Sequence, residues 1–347
     1  MDVKKKVLIY GIGNFFLQNK EDIVKDYDII AFIDSEKSGW YLDKKIINPV
    51  NVHQYEYEEI IVMVQNICAC FSIVKLLLDK DVSAECIILG HSLYGEYGKQ
   101  IDKMLILKDA RIQLFFGDIS IKVRSEDEFN NVCEVFVKQT YSFFINNRKK
   151  NIVIDVGMNI GDTALYFAQM EHVEKVYGFE PFADTFLRAK ENLMNNSEQK
   201  KINIFQYGIS NENMKKKIIF NNDMTCGQST IEDIRERAHE KYLNWGLIEE
   251  INEQVEQIEV KKASEIFAPI INQHTMHNIV LKMDCEGEEY YILEELLQSG
   301  LLEKIKFIML EWHYQGNKVI LDMLKKAKFS WWCSYKDNDM GLIYAYK

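Results

Sequence analysis

The sequence predicts an α/β protein built from two successive Rossmann-like units, and three observations carry that prediction. Twice along the chain a short β-branched strand runs into a glycine turn, a helix, a second strand and an acid. The first such run extends from Lys6-Val7-Leu8-Ile9-Tyr10 to Asp34, the second from Ile152-Val153-Ile154-Asp155-Val156 to Glu180. Thirdly, the chain goes on alternating strand and helix and then closes on two consecutive strands, Lys328–Tyr335 and Leu342–Tyr346, around the polar turn Lys336–Gly341. At 347 residues there is room for two domains with a core in each, and 47% apolar with 27% charged residues is the balance of a soluble globular chain.

The net charge of −11 disfavours nonspecific binding to nucleic acid or to an anionic membrane. No apolar run reaches the length of a membrane span, and the opening MDVKKKVLIYGIG enters a strand directly, without the apolar stretch of a signal peptide. Seven cysteines, at 68, 70, 86, 133, 226, 285 and 333, lie mostly in apolar runs. Cys68-Ala69-Cys70 lacks redox or zinc spacing, so these thiols read as reduced core residues of a cytoplasmic protein.

Residues 1–98 form the first unit. Ile29–Ile33, Ile60–Val64 and Cys86–Leu89 read as strands beside Lys6–Tyr10, with helices over Phe15–Lys25 and Ile73–Asp79. Gly11, Gly13 and Asp34 repeat the logic of a nucleotide turn, but the third glycine is missing and Phe15-Phe16 can fill the groove. The segment is similar to the small Rossmann-like domains attached to bacterial glycan-modifying enzymes such as sugar acetyltransferases. Two roles stay open for it: holding a nucleotide or nucleotide-linked sugar, or serving as a scaffold for oligomerisation or partner docking. Residues 99–150 connect the units through a join at His91–Lys108 and a hairpin of Ile112–Phe116 with Ile119–Val123. A helix over Glu126–Asn146 then follows, with Val132, Val135, Phe136, Tyr141 and Phe144 at helical spacing.

The domain over 151–347 begins with the strand that ends at Val156. Gly157 and Gly161 allow backbone dihedrals that a side chain forbids. Asp162-Thr163 opens a helix to about Gln169, and the strand Lys175–Phe179 delivers Glu180 to the place where such folds hold ribose hydroxyls. A dinucleotide turn needs three glycines and a helix N-terminus free for pyrophosphate. Here Asn159 replaces the second glycine, and Asp162 at the helix start would repel a phosphate. A cofactor with ribose and adenine but no phosphate, S-adenosylmethionine, fits better. Farther on, Ala183–Asn195 reads as a helix and Ile202–Tyr207 as the third strand, with the turn Gly208-Ile209-Ser210 placed near the adenine. Lys215–Asn221 reads as an extra strand, Cys226–Thr230 as a polar loop facing the cofactor mouth, and Glu232–Gln257 as a helix-rich, solvated insert. In that insert Tyr242 and Trp245 either stack on a sugar ring or anchor the insert.

A second chemical centre follows the strand Asn278–Met283, where Asp284-Cys285-Glu286-Gly287-Glu288-Glu289 leads into a helix running to Gln298. The strand Ile305–Leu310 ends in Glu311-Trp312-His313-Tyr314 on the same edge. Glu288 and Glu289 read as helix-start acids. In the final strands Trp331 and Trp332 alternate, so at least one should face the core.

VIDVGMNIGDTALYFA, then VYGFEP, then LKMDCEGEEYYIL closely resembles the FkbM-type family of S-adenosylmethionine-dependent methyltransferases, over about the last two thirds of the chain. The resemblance implies a class I methyltransferase fold, a seven-stranded sheet with a terminal antiparallel hairpin. It also implies O-methylation, frequently of sugars or other glycan and natural-product hydroxyls. Carried over residue by residue, it makes Asp155, Gly157, Asn159, Gly161 and Glu180 cofactor-binding, with Gly208 added from its place in the fold. Cys285 departs from the aliphatic residue more usual between the two acids.

Methyl transfer is an in-line displacement that needs alignment and removal of the acceptor proton. His313 suits that task by its ordinary pKa near neutrality. Asp284 or Glu286 could instead accept the proton or orient the imidazole. No residue is assigned as a metal ligand, although Asp284, Glu286, Glu311 and His313 could alternatively hold Mg²⁺. The expected partner is a small-molecule or glycan acceptor, and a homo-oligomer is compatible with the sequence. A rival enzyme class is an NAD-linked oxidoreductase of nucleotide sugars using Gly11-Ile12-Gly13 and Asp34. A non-enzymatic rival is a module that binds S-adenosylmethionine without catalysis, which explains the edge acids poorly.

Overall fold

The structure, a computed structural model, describes residues 3–98, 100–142, 149–221, 228–244, 253–335 and 338–347. It divides into two compact units, Met1–Val137 and Lys138–Lys347. Among the described residues no helix is long and apolar enough to cross a membrane.

The first unit opens with β1 (Lys5–Tyr10), α1 (Asn14–Asp26), β2 (Tyr27–Ile33), β3 (Gly39–Tyr41), β4 (Lys44–Ile47), β5 (Glu59–Val62), α2 (Ile67–Leu78), β6 (Ile87–Leu89) and α3 (Gly90–Tyr94). Its sheet runs β3-β4-β2-β1-β5-β6, parallel except for β3 against β4. The β3–β4 hairpin was not foreseen, because Leu42 and Asp43 take its left-handed positions (φ 50° and 56°) without glycine. Phe16 goes into the core, edge-on to Phe32 with ring centroids 5.3 Å apart. Cys70 is buried, which pushes its thiol up to about 12, whereas Cys68 on the same helix is exposed. A second sheet joins β7 (Lys103–Ile106), β8 (Ile112–Phe116) and β9 (Ile119–Val123), all antiparallel. Helix α4 (Glu126–Phe136) is capped by Ser125, whose Oγ accepts from Glu128 N. It stops at Phe136, well short of the expected Asn146, and Gln139 just beyond takes a left-handed φ of 52°. Phe144 lies outside the described residues.

The second unit comprises β10 (Asn151–Val156), α5 (Asp162–Ala168), β11 (Val173–Phe179), α6 (Ala183–Met194), β12 (Ile202–Phe205), β13 (Gly208–Ser210), β14 (Met214–Asn221), α7 (Glu232–Asn244), β15 (Glu253–Lys262), α8 (Ala263–Gln273), β16 (Asn278–Met283), α9 (Glu289–Gln298), β17 (Phe307–His313), α10 (Lys318–Lys326), β18 (Ser330–Tyr335) and β19 (Met340–Tyr346). The main sheet has seven strands in the order β12-β11-β10-β16-β17-β19-β18. The first five are parallel, and the last two form the expected antiparallel hairpin. The chain leaves β10 in one direction and returns at β16 on its other side, which opens a crevice at the carboxyl ends of these two strands.

Three expectations are corrected here, and one element is new. Gly208-Ile209-Ser210 is no turn but a strand, β13, paired parallel to β15 in a small sheet completed by β14. The solvated insert ends in that strand β15, which pairs antiparallel with β14 and sets Glu259 opposite Lys215. Helix α8 went unforeseen, since Pro269 lies inside it. Neither Trp331 nor Trp332 is buried (37% and 52% exposed). Their strand is the sheet's edge, and Ile343 and Ala345 of β19 supply the core there.

Every residue of β10 and β16 is buried, as in a parallel sheet covered on both faces. Lys282 is therefore the anomaly, and its register partner Asp155 explains it. Lys282 Nζ lies 3.1 Å from Asp155 Oδ1 and donates to the Gly157 carbonyl at 2.7 Å. Asp155 Oδ2 in turn accepts from Thr163 Oγ1 at 2.6 Å. Lys282→Met should lower unfolding stability by about 3–5 kcal/mol, because it strands a buried carboxylate; adding Asp155→Leu should recover most of that loss. Gly157→Ala should cost at least about 2 kcal/mol, since φ is +74° and its Cβ would lie 1.8 Å from the Asp284 carbonyl oxygen. Denaturant titration checks both, and unchanged midpoints would contradict these accounts.

Candidate active site

The turn after β10 is built from left-handed residues: Gly157 (φ 74°), Asn159 (49°) and Gly161 (85°), the last capping α5. Asparagine tolerates that region better than most side chains. The amides of Gly157 and Met158 both donate to the Phe179 carbonyl at 3.0 and 3.1 Å, and Asn192 Nδ2 holds the Ile160 carbonyl at 3.0 Å. What glycine at 157 makes room for is the backbone of Asp284, so the glycine turn and the acidic turn lie against each other.

Acids dominate this crevice. Glu180 is buried at the end of β11, where its Oε1 accepts from Phe182 N at 3.0 Å and the Asn159 amide also donates to it. Burial pushes its carboxyl up to about 8. Asp162 is likewise buried and pushed up to about 7, against the opposing pull of Lys282. Burial draws the Lys282 ammonium down, but Asp155, Asp284 and Asp162 overcome it and hold it above its usual range. That cation is tied to Asp155 and the Gly157 carbonyl, so a pyrophosphate here would meet carboxyl groups. A ligand with neutral hydroxyls or a cationic centre fits this set of acids better than an anion does. Gly208 stands close by, with a Cβ there 3.6 Å from the Pro181 ring that follows Glu180.

The second edge is the turn from β16 into α9. Glu286 and Gly287 reverse the chain through left-handed φ values of 53° and 104°. Strand β17 runs on through Glu311 and His313, expected to lie beyond its end, and period-two spacing puts those two on one face. His313 is 2% exposed. Its Nδ1 lies 3.1 Å from Glu289 Oε1, and its backbone N donates to the same oxygen at 2.8 Å. Nε2 meets Glu286 Oε2 at 3.7 Å, Asp284 Oδ1 at 3.8 Å and Glu311 Oε1 at 3.9 Å. Burial pulls this imidazole down, but Glu286, Glu289 and Glu311 outweigh it and hold it well above its ordinary range. That shift favours the protonated ring and weighs against the reading of His313 as a free base. Tyr141 Oη stands 3.5 Å from Asp284 Oδ2.

Glu288 and Glu289 do stand at the start of α9, as expected, and both are buried. Glu288 accepts from Lys216 Nζ at 2.8 Å and bonds the hydroxyls of Ser210 and Thr230. Glu289 Oε2 accepts from Gly287 N at 2.8 Å while Oε1 holds His313. A signal for Glu289 was present: it falls on the buried stripe of α9 with Ile292, Leu293 and Leu296. Ser229 Oγ donates to the Glu286 carbonyl at 2.6 Å, whereas Cys226 and Trp245 lie outside the described residues and the side chain of Tyr242 is not described. In the first unit, Asp34 Oδ1 accepts from Glu36 N and Lys37 N of its own turn at 3.0 and 2.9 Å. Phe15 packs on His91, with ring centroids 5.2 Å apart.

The raised carboxyls set a pH dependence. Between roughly pH 4 and the folded values of about 8 for Glu180 and about 7 for Asp162, the folded state keeps protons that the unfolded chain has released. Their stabilising contribution is full in acid and is lost as pH rises through that window. The ligand-free protein's unfolding free energy should fall from pH 5 to pH 8, by at most about 1.4 kcal/mol per pH unit for each group. Glu180→Gln should flatten the fall, and an equal slope in that variant would refute the assignment.

Comparison with known proteins completes the site. Residues 155–330 match the family model described as the methyltransferase FkbM domain, and residues 3–88 match one described as C2185-like, N-terminal. No curated protein gives a significant match. The crystal structure of methyltransferase FkbM from Methylobacillus flagellatus KT is similar over 99% of this chain and 90% of that one, at 10% identity and a TM-score of 0.36. Human methyltransferase 10 domain containing protein is similar over 62% of this chain and 81% of its own, at 10% identity and a TM-score of 0.35. M. capricolum TrmK, solved with S-adenosyl-homocysteine, is similar over 63% of this chain and 67% of its own, at 12% identity and a TM-score of 0.31. Structural likenesses this weak carry no weight beside the family match, which spans half of the chain, and the strand order found here. On those two grounds the chain belongs to the FkbM-type family of S-adenosylmethionine-dependent methyltransferases.

Proposed function

We propose that the protein methylates a hydroxyl of a sugar, glycan or glycan precursor, with the acceptor held over the edge formed by β16 and β17. The observation that carries this reading is the convergence of Asp284, Glu286 and His313, which present ligand atoms within 4.8 Å of one another beside the cofactor turn. Carboxylates accept hydrogen bonds from hydroxyls, so such an edge suits a polyhydroxylated acceptor.

In this reading the turn Gly157–Gly161 cradles the cofactor, Glu180 receives its ribose hydroxyls, and Asp155 acts through Lys282 to keep the turn in place. Gly208 lies behind Pro181, at the side of that cradle. Bound there, S-adenosylmethionine supplies a methyl group whose bond to sulfur breaks as its bond to the acceptor oxygen forms, the electron pair staying on sulfur. Asp284 is the more open of the two carboxylates (side chain 27% exposed against 18% for Glu286) and takes the hydroxyl proton. His313, held by Glu289, aligns Asp284 and Glu286.

Purified protein incubated with isotopically labelled S-adenosylmethionine and a panel of sugars, glycans and nucleotide sugars should place the label on an oxygen. Label transferred to amines alone would overturn the reading. With an acceptor in hand, Asp284→Asn should lower kcat by about 10²–10⁴-fold while leaving cofactor affinity within about twofold. His313→Ala should also abolish most turnover. Wild-type rates in both variants would remove these residues from the mechanism.

A further inference from the structure

We propose that Asp284, Glu286 and His313 form a binding site for a divalent transition-metal cation, Mn²⁺ being the best match to their chemistry. Each offers one ligand atom, and the three atoms lie within 4.8 Å of one another. The contacts of His313 Nε2 at 3.7 and 3.8 Å are too long for hydrogen bonds. They are near the roughly 3 Å that separates neighbouring ligands when each stands about 2.1 Å from a common ion. Release of the Nε2 proton and an inward movement of under about 1 Å would complete the set.

The imidazole is what distinguishes this group from a solvated cluster of acids. It is 2% exposed, and its Nε2 is aimed at the gap between the carboxylates. Glu289 Oε1 takes both the His313 backbone N–H and Nδ1, at 2.8 and 3.1 Å. A carboxylate on the far nitrogen is the arrangement that fixes the tautomer and direction of a metal-ligating histidine. Glu311 Oε1, 3.9 Å from Nε2, stands in reserve as a further oxygen ligand.

Ligand type decides among cations. Ca²⁺ and Mg²⁺ take oxygen almost throughout, so a buried imidazole weighs against them. Cys285 lies between the two acids in sequence, but its Sγ is directed to Glu289 Oε2 at 3.6 Å, so no thiolate makes this a soft site. Two carboxylates and one imidazole suit Mn²⁺. Three protein ligands leave positions open, and the partial exposure of Asp284 and Glu286 puts those positions on the open side. A vicinal pair of acceptor oxygens could fill them and be acidified there; this last role rests on the methyl-transfer reading above.

The test uses the full chain without an affinity tag, stripped by chelator and titrated with Mn²⁺ alone, free ion being followed by electron paramagnetic resonance. One site per chain is expected, with affinity reduced at least tenfold in Glu286→Gln and in Asp284→Asn. Glu289→Gln, which leaves all three ligands in place, should weaken binding about 10–100-fold, and Mg²⁺ should compete poorly. Binding no stronger than in the double variant Asp284→Asn/Glu286→Gln, or unaltered in the single variants, would overturn the proposal, as would Mg²⁺ displacing Mn²⁺ at equal concentration. Calorimetry with S-adenosylmethionine on the same samples shows that each variant is folded and separates the two readings. Cofactor binding without Mn²⁺ binding sinks the metal site alone. Absence of cofactor binding sinks the methyl-transfer reading and leaves the Mn²⁺ titration to decide the metal site.

Discussion

The placement of the glycine turn against the acidic turn depends on one buried pair, Lys282 with Asp155, set directly opposite each other on adjacent parallel strands. Neither charge could stay in an all-apolar sheet alone. Together they form a three-way tie, because the same ammonium also holds the Gly157 carbonyl. The end of β10 is thereby fastened to β16 at the level where both strands turn. Gly157 then brings the backbone of Asp284 against the turn, closer than any side chain would permit. The cofactor turn and the acidic edge are accordingly one piece of backbone geometry. A displacement of either would move the other, which matters for a reaction whose rate rests on alignment.

Much of this was legible because it is written in local chemistry. The two glycine turns, the strand–helix alternation and the acid after VYGF each follow from backbone sterics at particular residues. The closing hairpin and the clustering of Asp284, Glu286 and His313 likewise followed from strand order. What escaped was nonlocal. Glu289 looks like any acid at a helix start until β17 brings His313 beneath it. Lys282 looks like a strand interruption until Asp155 stands across from it. The small sheet β13–β15–β14 hid behind strands rich in lysines and glutamates, whose pairing a one-dimensional pattern does not display. The β3–β4 hairpin hid because Leu42 and Asp43 adopt dihedrals usually left to glycine and asparagine.

The acids of the crevice fall into two groups, one buried around the glycine turn and one gathered around His313. Glu180 and Asp162 are buried where few charges compensate them, and so they retain protons. Across the turn His313 sits among four carboxylates, which share its positive charge.

Glu289 gives helix α9 a second task. Its carboxylate reaches the backbone of Gly287, the backbone of His313 and the imidazole at once, while the following turns of the helix pack Ile292, Leu293 and Leu296 into the core. Packing on that remote face is therefore mechanically geared to the aim of one ring nitrogen. Substitutions deep in the hydrophobic layer, far from any ligand, could retune the enzyme through that lever without altering a single residue that meets the substrate.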